Sequence, residues 1–252
     1  MPVRKTNRGH GGLTGYLARF PDSSMPGSPG SPGNPGSPGP RFASAGSTHF
    51  ESALEKDLFL LLRYQQHVTR EVRFFEEQPL RIEYLDAGTP RHYTPDALIH
   101  YHGSRPSELV EAKYRTDLRK HLSKWRPGYQ AAQAYCRSHG WVFRVRTEFS
   151  IRTPLLDHAS FIPAFLGRTH DPDDTRLVLS EVQRQGESTV EAVMDALAPL
   201  KLPDTQIITL DGPALRRATL LPVLWTLVAH GFVLLDVTRP PSLDSALRPK
   251  AY

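Results

Sequence analysis

The chain has 252 residues, which is enough for two modest domains or one large one. Hydrophobic residues make up 39% of it, and no apolar run approaches the roughly 18–20 residues that a membrane-spanning helix needs. The first ten residues carry charge but no apolar stretch follows them, so we do not expect a secretory signal. The one cysteine, Cys136, permits no internal disulfide and no cysteine-based zinc site. These features predict a cytoplasmic protein that does not associate with a membrane.

The net charge of +5 is concentrated at the start of the chain. Residues 1–50 hold five basic side chains against the single acid Asp22, and the rest of the chain is close to neutral. Residues 26–40 read PGSPGSPGNPGSPGP, in which eleven of fifteen are Pro or Gly, a composition typical of an extended linker. We therefore predict that residues 1–46 form a basic arm and linker. The arm either binds phosphate or is simply a solvated tail.

The next hundred residues, 47–150, predict a catalytic domain that begins with a helix. The helix starts near His49 and has leucines at helical spacing, at positions 54, 58, 61 and 62. The pattern then predicts strands over 68–75, 80–85, 92–101 and 107–114. A helix follows from Asp117, breaks at Pro127-Gly128 and resumes to Ser138, and the last strand is 141–147. This order is typical of an α/β fold in which helices flank a mixed sheet.

The composition changes from residue 151, and residues 151–252 predict a separate, mainly α-helical domain. Helical patterns cover 174–186, 189–198 and 214–229, and the apolar strand FVLLDV follows. This arrangement resembles a winged-helix module that binds DNA or partners, although a generic helical interaction domain fits it nearly as well. We expect the apolar helix Leu220–His230 to offer a docking surface, while Trp225 belongs to the core.

Three residues on two neighbouring strands carry the chemistry. Asp96 follows a Thr-Pro kink, and Glu111 and Lys113 are two apart in the next strand, so their side chains share a face. A turn between the strands lets the carboxylates of Asp96 and Glu111 converge. With the Ala112 backbone carbonyl they make a hard-ligand site suited to Mg²⁺, which can acidify a bound water. Lys113 can orient that water, stabilise the phosphate, or take a proton if its pKa is depressed.

A glutamate on the preceding helix can complete the metal shell, and two candidates stand one turn apart. We favour Glu55 over Glu51 because Glu55 lies deeper in the helix. His100 and His102 share the strand parity of Asp96, so an Asp-His-His zinc site is conceivable, although exposed histidines are the commoner outcome. Gln130 on the following helix either stands beside the metal or serves packing.

Pro95-Asp96, Glu111-Ala112-Lys113 and the upstream Glu55 together form a PD-(D/E)xK nuclease signature. The stretch from Phe50 to Glu148 also resembles the N-terminal domain of TnsA, the endonuclease subunit of heteromeric cut-and-paste transposases. The segments that carry the resemblance occur in the family's order; they are FESALE (50–55), EEQPLRIEY (76–84), YTPDALI (93–99), ELVEAKY (108–114) and VRTEFSIR (145–152). The resemblance implies a restriction-endonuclease-like fold for 47–150 and a winged-helix-like partner domain for 151–252.

The resemblance also implies roles for particular residues. Glu55, Asp96 and Lys113 correspond to catalytic positions, and Glu111 corresponds to a metal-side position that is Gln in some relatives. The implied metal ligands are Glu55, Asp96, Glu111 and the Ala112 carbonyl, with Mg²⁺ as the cofactor and Mn²⁺ as a substitute. Lys120, Lys124 and Arg126, which follow on a helix, are candidates for DNA phosphate contacts, although a solvated helix face explains them equally well.

The implied function is cleavage of the 5′ strands at transposon ends. The implied partners are transposon-end DNA, an integrase-type (TnsB-like) transposase subunit and an AAA+ ATPase (TnsC-like) regulator. Two other functions fit the residues: a stand-alone restriction or repair nuclease, and a winged-helix DNA-binding regulator with an inactive nuclease fold. Because all four catalytic positions are filled, the sequence favours an active enzyme.

Overall fold

The computed structural model describes residues 15–17, 48–198 and 212–251. These residues form two compact units. The first unit contains 15–17, 48–62 and 71–152, and the second contains 63–70, 153–198 and 212–251. Apart from 15–17, the predicted arm and linker over 1–46 lie outside the described residues. None of the helices in the described ranges is long and apolar enough to cross a membrane.

The first unit combines eight strands with three helices. Its strands are β1 (Gly15–Leu17), β2 (Thr48–Phe50), β3 (Val72–Glu77), β4 (Ile82–Asp86), β5 (Thr89–Tyr93), β6 (Ala97–Tyr101), β7 (Glu108–Ala112) and β8 (Val142–Arg146). Its helices are α1 (Ala53–His67, whose last residues belong to the second unit), α2 (Arg115–Ser138) and α3 (Glu148–Ile151).

The central sheet has four strands in the order β3-β6-β7-β8. β3, β6 and β7 are antiparallel neighbours, whereas β7 and β8 are parallel. A parallel pair needs a crossover between its strands, and α2 provides it. The sheet is therefore mixed and flanked by helices, which confirms the α/β class predicted for this part of the chain.

The two faces of the sheet pack against different helices. On one face the ring of Phe59, from α1, stacks on that of Phe75 with centroids 5.9 Å apart. On the other face Leu98 and Leu109 form a core with Ala132 and Cys136 of α2. Because side chains alternate along a strand, residues two before Leu98 and two after Leu109 share this second face. Those residues are Asp96 and Glu111.

Two predicted elements have different bounds in the structure. The helix predicted from His49 begins at Ala53, where the Ser52 hydroxyl accepts a hydrogen bond from the Glu55 amide. The strand predicted over 92–101 is two strands, because Thr94-Pro95 ends β5 and β6 starts at Ala97. β5 instead pairs with β4 in a separate hairpin.

The predicted break at Pro127-Gly128 was wrong, because α2 continues through it. Pro127 removes one backbone hydrogen bond but leaves the other bonds of a 24-residue helix in place. The surroundings also favour continuation. Gly128 is buried against the β4–β5 hairpin, and an added Cβ there would lie 3.4 Å from the Tyr84 hydroxyl. Packing of the helix on the hairpin therefore outweighs the local helix-breaking signal.

The second unit is mainly helical. Its helices are α4 (Pro154–Phe161), a short 3-10 helix (Ile162–Phe165), α5 (Pro172–Gln185), α6 (Val190–Leu197) and α7 (Gly212–Ala229). Its strands are β9 (Ser188–Thr189), β10 (Val233–Leu235) and β11 (Ala246–Pro249). They form an antiparallel sheet in the order β10-β11-β9.

The helix α7 is a core element of the second unit. Leu220, Leu224 and Val228 are each at most 5% exposed, and Trp225 is buried against Phe161 and Phe165. The expectation that Leu220–His230 offers an apolar docking surface was therefore wrong. A small domain has few apolar side chains, so it uses the apolar face of such a helix to form its own core.

Candidate active site

The strand pairing between β6 and β7 brings the predicted carboxylates together. Asp96 lies directly before β6 rather than inside it, and its amide donates to the Val110 carbonyl at 3.0 Å. Its Oδ2 accepts a hydrogen bond from the Ala112 amide at 2.7 Å. The Asp96 carboxylate is thereby held across the backbone of β7, beside the strand position of Glu111.

The surroundings of the Asp96 carboxyl group change its pKa. Burial, followed by the negative charge of Glu111, raises the pKa of Asp96 well above its usual range. The charge of Lys113 and the Ala112 amide act in the opposite direction but do not cancel the effect. Two carboxyl groups that repel each other in a partly enclosed space are a favourable environment for a cation.

Lys113 lies one residue beyond the end of β7, and its amide donates to the Arg146 carbonyl. Its Nζ is 2.9 Å from Glu111 Oε1, and it approaches the Trp125 ring at 5.9 Å. Burial lowers the pKa of Lys113, but the charges of Asp96 and Glu111 outweigh burial and raise it above the ordinary value. In this arrangement Lys113 is a cation, not the proton acceptor that a depressed pKa would have made it.

The helical carboxylate is supplied by α1. Glu55 is buried, and it accepts hydrogen bonds from the Glu51 amide and the Ser52 hydroxyl. Burial raises the pKa of Glu55, and the positive charge of Lys113 partly offsets that rise. Glu51 is exposed and interacts through its side chain with Gln78. The structure therefore favours Glu55 as the carboxylate of the site, although these two bonds also tie its side chain to the residues just before α1.

The donor set suits a magnesium ion better than a zinc ion. Within residues 48–198 and 212–251, no three His, Cys, Asp or Glu side chains lie close enough together to hold one ion. Mg²⁺ needs no such cage, because one or two carboxylates with waters and substrate phosphate are its usual partners. Asp96 and Glu111 provide those two carboxylates. A shell that also includes Glu55 would require its side chain to give up its bonds to Glu51 and Ser52.

The other predicted ligands do not join the site. The His100 ring stacks on Phe74 with centroids 4.2 Å apart, and its Nδ1 is 2.9 Å from the Ser107 hydroxyl. His102 and Gln130 are exposed. The histidines therefore make no zinc site with Asp96 in this structure.

Two tyrosines that the sequence analysis missed stand beside Glu111. The Tyr93 hydroxyl donates to Glu111 Oε2 at 2.6 Å, and the Tyr129 ring packs edge-on against Tyr93. Burial, followed by the charge of Glu111, raises the pKa of both phenols above the ordinary value. The apolar spacing of Trp125, Tyr129 and Ala132 on α2 could have placed Tyr129 over this face of the sheet. Nothing in the sequence singles out Tyr93, because its contact depends on the β4–β5 hairpin.

The first half of α2 is basic and exposed. Lys120, Lys124 and Arg126 are all exposed, and the helix begins two residues after Lys113. Lys120 and Lys124 are one turn apart and share a face, whereas Arg126 lies on the face of Arg119. The predicted phosphate contacts therefore divide into two stripes, and both start beside the candidate site.

A mixed sheet flanked by helices, with paired carboxylates and a lysine at the neighbouring ends of two adjacent strands, fits a restriction-endonuclease-like domain. The family model for the TnsA-like endonuclease N-terminal domain matches residues 69–148, about a third of the chain. Asp96, Glu111 and Lys113 lie inside the matched segment, and Glu55 lies before it. The chain therefore contains a DNA endonuclease domain of the TnsA family. No curated protein matched the sequence.

Proposed function

We propose that this chain is the endonuclease subunit of a heteromeric transposase. It cleaves the 5′ strands at transposon ends, together with an integrase-type (TnsB-like) subunit and an AAA+ ATPase (TnsC-like) regulator. The observation that carries the proposal is the family match over 69–148, which contains the cluster of Asp96, Glu111 and Lys113. The chemistry is phosphodiester hydrolysis with Mg²⁺, for which Mn²⁺ can substitute.

Each residue of the cluster has a role in this proposal. When bound, the divalent cation supplies positive charge against the phosphate and acidifies a water. Asp96, Glu111 and the Ala112 carbonyl would hold the cation, and Glu55 would contribute from α1. Lys113 gives up its contact with Glu111 Oε1 and turns its ammonium group toward the attacking water or the phosphate. A fixed cation at this point favours the transition state, in which negative charge on the phosphate increases.

The second unit supports a winged-helix assignment for the C-terminal domain. Its elements follow the order α5, β9, α6, α7, β10, β11, and its strands form one antiparallel sheet. A helix followed by a short strand, two helices and a two-stranded wing is the element order of winged-helix modules. We propose that this domain binds partner subunits or the transposon-end DNA.

The transposase proposal predicts an enzyme that is nearly silent alone. Purified protein with Mg²⁺ and transposon-end DNA should give little cleavage, and addition of the integrase-type subunit and the ATPase should produce 5′-strand cuts at the ends. Strand-specific end labelling on denaturing gels measures this. A single site of this kind hydrolyses one phosphodiester at a time, so a double-strand break needs a second active site. Robust double-strand cleavage by the chain alone would reject the proposal and favour a stand-alone nuclease.

The basic stripes on α2 predict a salt-dependent effect on DNA affinity. Replacement of Lys120, Lys124 and Arg126 by Ala should weaken DNA binding and reduce the slope of log affinity against log salt by roughly 0.9 for each phosphate that the variant no longer neutralises. Fluorescence anisotropy in a salt series measures both quantities. Arg137→Ala, which removes an exposed cation from the last turn of the same helix, is the matched control. An unchanged slope in the triple variant would show that these residues are a solvated helix face.

A further inference from the structure

Glu111 is held at both carboxylate oxygens. Oε1 is 2.9 Å from Lys113 Nζ, and Oε2 accepts the Tyr93 hydroxyl at 2.6 Å. The two partners differ in mobility, since the lysine ends a long flexible side chain whereas the tyrosine is rigid. Tyr93 is also fixed from both sides, by the β4–β5 pairing and by close approach of α2 at Gly128. The hydrogen bond from Tyr93 to Glu111 is therefore the more rigidly held of the two contacts.

The second tyrosine beside the carboxylates, Tyr129, is buried. It is 8% exposed, and none of the residues that the structure describes accepts a hydrogen bond from its buried hydroxyl. A buried hydroxyl without a partner is costly, so such groups commonly serve a bound molecule. The electrostatic neighbours of this hydroxyl are Glu111, Lys113 and Asp96. The ring is held edge-on to Tyr93, and it also packs against Phe143 at 5.5 Å between centroids.

We infer that Tyr93 and Tyr129 are a pair that organises the metal side of the site. Tyr93 is a positioning residue that fixes Glu111 through Oε2, so that Oε1 is the oxygen free to exchange Lys113 for a divalent cation. Tyr129 donates its hydroxyl to a water of the cation's shell beside Glu111. This inference rests on the proposed function and gives both tyrosine hydroxyls a role at its metal site. The fixed carboxylate would then need less reordering when the ion binds.

The test compares Tyr93→Phe and Tyr129→Phe with Tyr135→Phe. Tyr135 lies on α2 as well and is half-buried, but it packs on His139 and Trp141, away from the carboxylates. Each variant loses one hydroxyl and keeps its ring. The measurements are Mn²⁺ affinity by calorimetry without DNA and the melting temperature in a chelator. Both are independent of cleavage and of the partner subunits.

We expect Tyr93→Phe to raise the Mn²⁺ dissociation constant about tenfold or more, as loss of a partner to a metal ligand commonly does. Its melting temperature in chelator should fall, because a buried carboxylate oxygen loses its donor. Tyr129→Phe should raise the dissociation constant about two- to tenfold, the effect of one hydrogen bond, while its melting temperature holds or rises. Tyr135→Phe should match the wild type in Mn²⁺ affinity.

An unchanged Mn²⁺ affinity in Tyr93→Phe would overturn the positioning role, and the same result in Tyr129→Phe would overturn the water contact. A Tyr129→Phe variant that melts lower with unchanged affinity would assign its hydroxyl to the fold alone. Failure of the proposed function has a different signature. In that case the wild-type protein itself would bind no Mn²⁺, or would cut no 5′ strand in the complete mixture.

Discussion

Asp96→Asn should abolish cleavage and at the same time stabilise the metal-free protein. Asn keeps an oxygen that can accept from the Ala112 amide, so the local backbone bond survives. It removes the negative charge that burial and Glu111 disfavour, as the raised pKa of Asp96 records. It also removes one of the two carboxylates proposed to hold the ion, so 5′-strand cleavage should fall below detection in the complete mixture.

The stabilisation has a definite pH dependence. Because the pKa of Asp96 is higher in the folded chain than in the unfolded chain, the folded protein binds the extra proton. The stability that this proton confers is full below the unfolded pKa, about 3.9, and is lost as the pH rises through the higher folded value. The amide in the Asp96→Asn variant does not titrate, so the variant keeps this stability as the pH rises. In a chelator its advantage in melting temperature should therefore grow from acid toward neutral pH.

Thermal melts from pH 4 to pH 8 with a chelator, then with Mg²⁺, measure this prediction. The wild type should gain stability from Mg²⁺, and Asp96→Asn should gain much less. Asp86→Asn is the control, since it removes the same charge at the turn of the β4–β5 hairpin. A variant that cleaves normally, or that melts below the wild type in chelator at neutral pH, would contradict the assignment of Asp96.

The order of elements was predictable from the sequence because periodicity and turn residues are local signals. Leucines at helical spacing predicted α1, and the parity of Glu111 with Leu109 predicted the face on which the carboxylate stands. The Thr94-Pro95 kink was noticed, but its consequence, a strand end that frees β5 for a hairpin, depends on pairing with β4. Pairing partners are long-range contacts, which a window of sequence does not contain.

In the candidate site too, the features set by local sequence were predictable and those set by long-range contacts were not. Asp96, Glu111 and Lys113 could be found because their spacing sets them at the neighbouring ends of two adjacent strands, and the structure brings them together. Tyr93 could not be found, because its contact with Glu111 exists only once the hairpin packs beside the sheet. The charge state of Lys113 was also beyond local reasoning. It depends on the balance between burial, which lowers its pKa, and two carboxylates, which raise it.

Lys113→Ala should affect the metal-free protein in the opposite direction from Asp96→Asn. The substitution leaves Glu111 Oε1 without its cation, and a buried acceptor that loses its partner costs about 1–3 kcal/mol. The melting temperature in chelator should therefore fall. Mg²⁺ should raise the melting temperature of this variant by more than it raises that of the wild type. The reason is that the ion neutralises the Glu111 oxygen that Lys113 no longer contacts. Lys120→Ala, which removes an exposed lysine from α2, should leave both values unchanged.

The larger effect of Lys113→Ala should be on which strand is cut. Loss of a fixed cation beside a reacting phosphate costs about 10²–10³ in rate, so 5′ cleavage should disappear from the complete mixture. The 3′ cuts and joins belong to the integrase-type subunit in this proposal, and they should persist. Simple excision would then give way to branched, cointegrate-type products, which end-labelled DNA on native and denaturing gels distinguishes. Loss of both 5′ and 3′ cleavage, with the complex still assembled on the ends, would show that Lys113 does not serve the 5′ strand alone. Normal 5′ cleavage would show that Lys113 is not part of the site.

The two substitutions together separate chemistry from folding, because Asp96→Asn and Lys113→Ala should both stop 5′ cleavage while they move the melting temperature in opposite directions.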